Sequence, residues 1–265
     1  YGLNTWFDKI MIFIMNIVKC RMNKQERKLR DLLNIHWLRP EKAIFLTMMS
    51  NSLDNIQIKS PSLEISCGDG INMFCHLGGK FSPDFDVFKA TSSNSFTHTS
   101  YVDVFDFYDK SYDPMIEKRP KIKIDYGLDW KKNLLEKSRK LDLYSNLVQH
   151  DLNVLPLPFE SNFFKTIYSN SIYWIKDVDE VLTDVHRILH PNGRALMHVL
   201  TPHIYETLNK LSDILSSDGI DILDRQRSKF ATSKFGLREW KKTMHAAGFQ
   251  VEEIREVFPN NRVVD

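Results

Sequence analysis

Residues 61–70, PSLEISCGDG, constrain the chain more than any other stretch. Leu63 and Ile65 read as a short buried strand with an acid, Glu64, towards its end. Gly68 and Gly70 then mark a tight turn, and Ile71, Met73, Phe74 and Leu77 follow at helical spacing. Glycine permits positive φ and lets a ligand approach backbone where a Cβ would intrude. Strand, glycine turn and helix in that order form the first βα unit of a nucleotide-type site. Two narrower readings fail on spacing. A dinucleotide fingerprint needs a third glycine where Met73 stands, and the G-x-x-x-x-G-K-[ST] of a P-loop is absent.

With 265 residues there is room for one large domain, or one domain with a cap. Lys and Arg number 36 against 34 Asp and Glu, a net +2, so no global charge argues for nucleic acid. The cysteines are Cys20, Cys67 and Cys75, an odd number without a C-x-x-C pair. That fits a reducing, cytoplasmic setting and no zinc site. Cys67 lies in the glycine turn and reads as a small packing residue, since no His partner is evident in sequence.

Residues 1–57 read as a helical segment ahead of the core domain. Trp6, Phe7, Ile10, Phe13, Ile14, Ile17 and Val18 fall on helical spacing, and residues 19–30 carry six basic residues against one acid, Glu26. Residues 10–18 are apolar but fall far short of the roughly 18 residues that a membrane span needs. A helix packed on the domain with a solvated basic face is expected. A peripheral contact of residues 6–30 with an anionic membrane is the sharper alternative. Further helices are expected over residues 23–38 and 43–53, the latter opened by Pro40.

In a nucleotide unit the acid of the second strand comes about 20 residues beyond the glycine turn. Here the nearest good candidate is Asp129, so residues 80–120 read as an insertion. Its aromatics, Phe81 to Tyr112, are too dense for a disordered linker, which makes it an ordered cap at the ligand edge of the sheet. Residues 121–129 are the second strand, and Asp129 precedes a helix over residues 133–141. Asp125 is a rival, but it lies mid-strand with no helix after it. Strands are expected at 146–152, 166–169 and 195–200, with an amphipathic helix at 177–189. Residues 201–218 read as helix-rich, 235–247 as a helix closed by Gly248, and 249–251 as the opening of another strand. Only residues 262–265 remain for a last strand, and the chain opens on Tyr1, so neither end is read as a natural terminus.

Together these segments resemble the class I S-adenosylmethionine (SAM) methyltransferases of the type 11/25 kind, over roughly residues 61–257 without the insertion. Glu64-Ile65-Ser66-Cys67-Gly68-Asp69-Gly70 matches the family's acid-x-G-x-G-x-G with Ser66 in the first glycine slot. Asp129-Trp130 matches the acid that holds the ribose and the apolar residue beside the adenine. Asp151-Leu152 matches the acid at the adenine amino group and its supporting neighbour. LPLPFESNFF at 155–164 resembles the segment before strand four, with Lys165 in place of an acid. RILHPNGR at 187–194 resembles R-x-L-K-P-G-G-x, with Asn192, which tolerates left-handed φ, in a glycine slot.

The resemblance implies a Rossmann-like, doubly wound, mostly parallel seven-stranded α/β sheet, spanning residues 58–265 with the insertion at 80–120. It implies SAM as cofactor, bound by Glu64, Ser66, Gly68, Gly70, Asp129, Trp130, Asp151, Leu152 and Asn170. Asn170 and Tyr173 follow strand four, where ligands lie in an open parallel sheet. No catalytic residue is assigned. The N-P-P-Y signature of adenine-type methylases is absent at Asn170-Ser171-Ile172-Tyr173. A small-molecule, sugar or lipid-linked acceptor is expected, and no nucleic acid. A SAM-fold binding or scaffold protein without transfer activity is the alternative.

Overall fold

The computed structural model describes residues 23–90, 106–201, 214–219 and 235–257. Helix α1 (Lys24–Ile35) opens on a reciprocal cap. Asn23 Oδ1 accepts from Glu26 N at 2.9 Å, and Glu26 Oε2 accepts from Asn23 N at 2.8 Å. Helix α2 (Pro40–Ser52) places Pro40 in its first turn, where the missing N–H costs nothing. The basic face expected of residues 19–30 is partly engaged: Lys24 and Lys28 both reach Asp54, at 3.0 and 3.1 Å. Residues 6–22 of that segment lie outside the described residues. No described helix is long and apolar enough to cross a membrane.

The central unit follows as strand β1 (Ser62–Ile65), helix α3 (Ile71–His76), the short strand β2 (Lys80–Phe81) and helix α4 (Val87–Ala90). After it come β3 (Ile116–Lys118), β4 (Ile124–Asp129), α5 (Lys132–Leu141), β5 (Tyr144–Gln149) and β6 (Phe164–Ser169). A 3₁₀ turn at Ile172–Trp174, helix α6 (Val178–Ile188), strand β7 (Leu189–Met197) and helix α7 (Leu237–Ala246) complete the described elements. The main sheet has the order β5-β4-β1-β6-β7, and every pairing in it is parallel. The chain winds outward from β1 through β4 and β5, then returns to β1's other side with β6 and β7. The carboxyl ends around β1 are therefore the topological switch point, where such sheets bind ligands.

Two apolar layers cover the sheet, as an all-parallel sheet requires. Leu63 and Ile65 of β1 join Phe164, Ile167 and the stripe Val178, Val181, Leu182, Val185 and Ile188 of α6, all buried. That stripe recurs every three or four residues, the helical period. The opposite layer joins Phe74 of α3, Leu135 and Leu141 of α5 and Tyr144 of β5 to Leu32, Ile35 and Leu46 of α1 and α2. Phe81, Phe85 and Phe88 enter that same layer, with Phe81 between Phe74 and Phe85 at ring distances of 4.8 Å. Each such side chain contributes roughly 1.5–3 kcal/mol by leaving water. Strands β2 and β3 pair antiparallel and bring together the two ends of the intervening chain.

Several expectations are corrected. The third parallel strand ends at Gln149, so Asp151 and Leu152 lie in the following loop, where Val154 N turns back on Asp151 O at 3.0 Å. The fifth begins at Leu189 rather than 195, because residues 190–193 are absorbed at a register shift opposite Phe164 and Thr166. Asn192 has no left-handed φ. Glycine is needed next to it for a different reason: a Cβ on Gly193 would meet Phe164 O at 2.7 Å and His190 O at 2.8 Å. Residues 249–256 form no strand, so the described sheet has five strands rather than seven. The expected final strand at 262–265, and most of the helix-rich stretch 201–218, lie outside the described residues.

Candidate active site

The glycine turn is pinned to the neighbouring strand. Cys67 N donates to Leu128 O at 2.9 Å and Gly68 N to the Asp129 carboxylate at 2.9 Å. Three residues of the turn take positive φ: Ser66 at 55°, Gly68 at 59° and Gly70 at 76°. Ser66 thus adopts the left-handed backbone that its slot demands, at the cost a side chain pays there. The two glycines serve different ends. A Cβ on Gly68 would meet nothing within 4 Å, whereas one on Gly70 would meet Ser138 Oγ at 2.7 Å and the Tyr144 ring at 3.1 Å. Gly70 lets α5 approach, and Gly68 leaves room above the turn.

Opposite effects on stability follow. Ser66→Gly is expected to raise the thermal midpoint, and Gly70→Ala to lower stability by on the order of 1 kcal/mol from backbone strain alone. Thermal unfolding of the two variants checks this, and shifts of the same sign would contradict it.

Asp129 ends β4 with its carboxylate buried, accepting from Gly68 N and, at 2.8 Å, from Lys131 N. Burial raises its pKa above the ordinary carboxylate value, against the lowering effect of those two donors. A carboxylate has about four lone-pair sites, so two bonds leave capacity for a ligand's hydroxyls. Trp130 beside it is 59% exposed, with Lys131 Nζ 5.4 Å from its ring centroid. Lys131 Nζ also meets Asp106 at 2.7 Å, which ties the returning limb of residues 106–118 to this edge.

Asp125 has a structural task instead. It accepts from Ser62 N and Ser62 Oγ, each at 2.7 Å, and from Ser60 Oγ at 2.9 Å. Burial would raise its pKa, but these bonds hold it below the ordinary value.

Glu64 is brought under the turn rather than to the opening. It is 3% exposed, and Tyr144 OH donates to Oε2 at 2.7 Å. Burial pushes its pKa up to about 8, reinforced by the charges of Asp69 and Asp129. Cys67 is buried too, and burial raises its thiol pKa well above the ordinary value, which suits a packing residue rather than a nucleophile. Asp151 is exposed and accepts from Asn153 N at 2.9 Å and Asn153 Nδ2 at 2.8 Å. The Leu152 side chain is buried beside Leu157 in the core. Asn170 is half-buried just past β6, and the neighbouring Ser171 Oγ is buried with no partner among the described residues. Sequence reasoning missed Tyr144, which donates to Glu64, and the pair Tyr168 and His198, 3.2 Å apart beyond it. Only pairing register, such as Glu64 opposite Tyr168, points to them.

The geometry fits a SAM-like ligand: open space at Gly68, a buried carboxylate at the adjoining strand end, an exposed aromatic after it and an orphaned hydroxyl past β6. The fold is that of a Rossmann-like α/β domain. Residues 117–197, from β3 through β7, match a family described as a methyltransferase domain. The biotin biosynthesis bifunctional protein BioHC of Saccharophagus degradans is 30% identical over 139 residues, 50% of this chain and 24% of that protein. The ubiquinone/menaquinone biosynthesis C-methyltransferase UbiE of Psychromonas ingrahamii is 32% identical over 81 residues, 30% of this chain and 32% of that one. The chain thus spans about a quarter to a third of the length of these relatives. A SAM-dependent methyltransferase of Mesorhizobium loti superposes over 79% of this chain and 82% of its own, at 14% identity and TM-score 0.46. Over residues 117–197 the chain is similar to that methyltransferase domain family.

Proposed function

We propose that the protein transfers a methyl group from SAM to a small-molecule, sugar or lipid-linked acceptor. The observation that carries the reading is the direct bond between the open glycine turn and a buried carboxylate on the next strand, Gly68 N to Asp129 at 2.9 Å. In this reading Asp129 accepts the ribose hydroxyls, Trp130 lies against the adenine, and the backbone of Ser66, Gly68 and Gly70 approaches the methionine part. Glu64 supports the turn from below. Asp151 and the backbone of Leu152 face the adenine edge, and Asn170 borders the acceptor side. Bound there, SAM would supply a sulfonium methyl group for displacement by the acceptor's nucleophilic atom, with S-adenosylhomocysteine as the leaving group. The protein's own part is positioning and exclusion of water.

We read residues 58–265 as the transferase domain and 1–57 as a helical segment packed on it. The insertion at 80–120 splits in two by its contacts. Phe81, Phe85 and Phe88 anchor it in the core, while Asp106 and Tyr112 bring its returning limb against Lys131 and Lys137 of the cofactor edge. In this reading that limb caps the acceptor.

Calorimetry with S-adenosylhomocysteine, followed by tritium transfer from methyl-labelled SAM to a panel of small hydroxyl, amine and carbon acceptors, tests the function. Binding with transfer is expected. Binding without transfer to any acceptor would favour the scaffold reading, and no binding would overturn both.

Asp151→Asn is expected to weaken S-adenosylhomocysteine by about 1 kcal/mol, since one acceptor becomes a donor facing the adenine amino group. The midpoint without ligand should barely move, because Asp151 is exposed. Equal losses of binding and stability would mark the residue as structural.

A further inference from the structure

A groove of about 440 Å³ lies between residues 110–119 of the insertion and the last turn of α5. Lys110, Tyr112, Asp113 and Arg119 line it on one side and Lys140 on the other. Its wall thus carries three cations against one acid, a surplus of two positive charges. The acid is engaged, since Asp113 Oδ1 accepts from Met115 N at 2.9 Å. Arg119 Nε lies 3.8 Å from Asp142, a carboxylate held more closely by Lys123 Nζ at 2.7 Å. Lys110 and Lys140 are exposed and have no hydrogen bond or ion pair among the described residues. A cation in the last turn of α5 suits the partial negative charge of a helix end, which accounts for Lys140. It does not account for Lys110 and Arg119, which the insertion brings beside it.

Two further observations concern the same wall. Tyr112 is 2% exposed, and its hydroxyl has no partner among the described residues. A buried polar group in that state is destabilising. Burial raises its pKa, with the charges of Asp69 and Asp113 adding to the effect, so the phenol stays a neutral donor. Beside Arg119 in the chain, Lys118 stands directly opposite Lys80 across β2 and β3, a like-charge pairing that also costs stability. The groove is not the cofactor cleft. Lys131 precedes α5 at the Asp129 end, and Lys140 lies nine residues further, about 13 Å along the helix.

We propose that this groove is a second binding site, separate from the cofactor cleft, for the phosphoryl group of a small phosphorylated molecule held by Lys110, Arg119 and Lys140. A phosphomonoester carries nearly two negative charges at neutral pH, which matches the surplus on the wall. A carboxylate, with one charge, leaves half of that surplus unmatched. Arg119 offers a planar fork of donors suited to phosphate oxygens, and the two lysines add point charges on flexible stems. The volume falls within the roughly 300–1,000 Å³ of small-molecule sites, so the rest of the ester has room beside its phosphate. Bound there, the ligand bridges the insertion to α5. The inference goes beyond the methyltransferase reading and does not depend on it.

Calorimetry at low salt with inorganic phosphate, pyrophosphate and glycerol 3-phosphate tests the site, with glycerol as the uncharged control. The parent is expected to bind the three anions, more weakly as salt is raised, and to ignore glycerol. Arg119→Gln and Lys140→Gln should each weaken glycerol 3-phosphate by about tenfold, the scale of a lost hydrogen bond to a charged group. Arg139→Gln removes the same charge from the neighbouring position of α5, outside the groove, and should bind as the parent does. Arg119, Arg139 and Lys140 are all exposed, so their variants should keep the parent's thermal midpoint and its S-adenosylhomocysteine affinity. Where one groove variant fails to fold, Lys110→Gln takes its place. Equal weakening in Arg139→Gln and the groove variants would show attraction by net charge alone and overturn the proposal. So would failure of the parent to bind any of the three anions. Binding to phosphatidate vesicles without binding to a soluble anion would overturn it in favour of a lipid headgroup.

Discussion

Asp129→Ala is expected to bind S-adenosylhomocysteine roughly ten- to a hundredfold more weakly than the parent. The basis is a loss of about 1.5–3 kcal/mol for hydrogen bonds to a charged acceptor. The carboxylate already orders the site, since it holds Gly68 N and Lys131 N at 2.9 and 2.8 Å. Removing it takes away the partner proposed for the ribose and releases Gly68 N of the turn. Calorimetry well below the thermal midpoint measures the effect. Asp125→Ala on the same strand is the control. Its partners are Ser60 and Ser62, so it should lower the midpoint and leave affinity alone. Undiminished binding by folded Asp129→Ala would remove the residue from the site.

The second large effect is one of pH and falls on Glu64. Its pKa rises from 4.5 to about 8 on folding, chiefly through burial. A raised acid binds its proton more tightly folded than unfolded, so its contribution to stability is complete below pH 4.5 and is lost as pH climbs to 8. Three histidines oppose this over part of the range. Burial lowers His36 to about 2 and His76 and His198 to about 4, so their contribution grows up to about pH 6.5 and is then complete. Between pH 6.5 and 8 Glu64 acts without them. At about 1.4 kcal/mol per pH unit, the parent should lose about 2 kcal/mol across that window. Glu64→Gln keeps an oxygen for Tyr144 OH and has nothing to titrate. Chemical denaturation at pH 6.5, 7.25 and 8 should therefore show a falling parent and a level variant. Parallel slopes would mean that Glu64 is ionised in the folded state at neutral pH.

The sequence alone determined the local units. The βα turn at 61–70, the strand ending at Asp129, the stripe of α6 and the proline start of α2 are each written in neighbouring residues. Periodicity and turn chemistry act over one or two turns of chain, and so they are legible there. Asp129 could be preferred over Asp125 because a helix follows the one and not the other. Tertiary structure decided what each group meets. Gly68 and Asp129 are 61 residues apart, Glu64 and Tyr144 80, Ser52 and His198 146. No local pattern encodes such a pair, because what selects it is sheet order and register. The order β5-β4-β1-β6-β7 sets Tyr144 and Tyr168 on either side of Glu64, and burial there makes an acid that reads as a ligand group into a neutral support. The same limit explains Asp151, the run of β7 through residues 190–193 and the strand missing at 249–256. Where a strand begins or ends depends on whether a neighbour offers it a ladder, and that neighbour is distant in sequence.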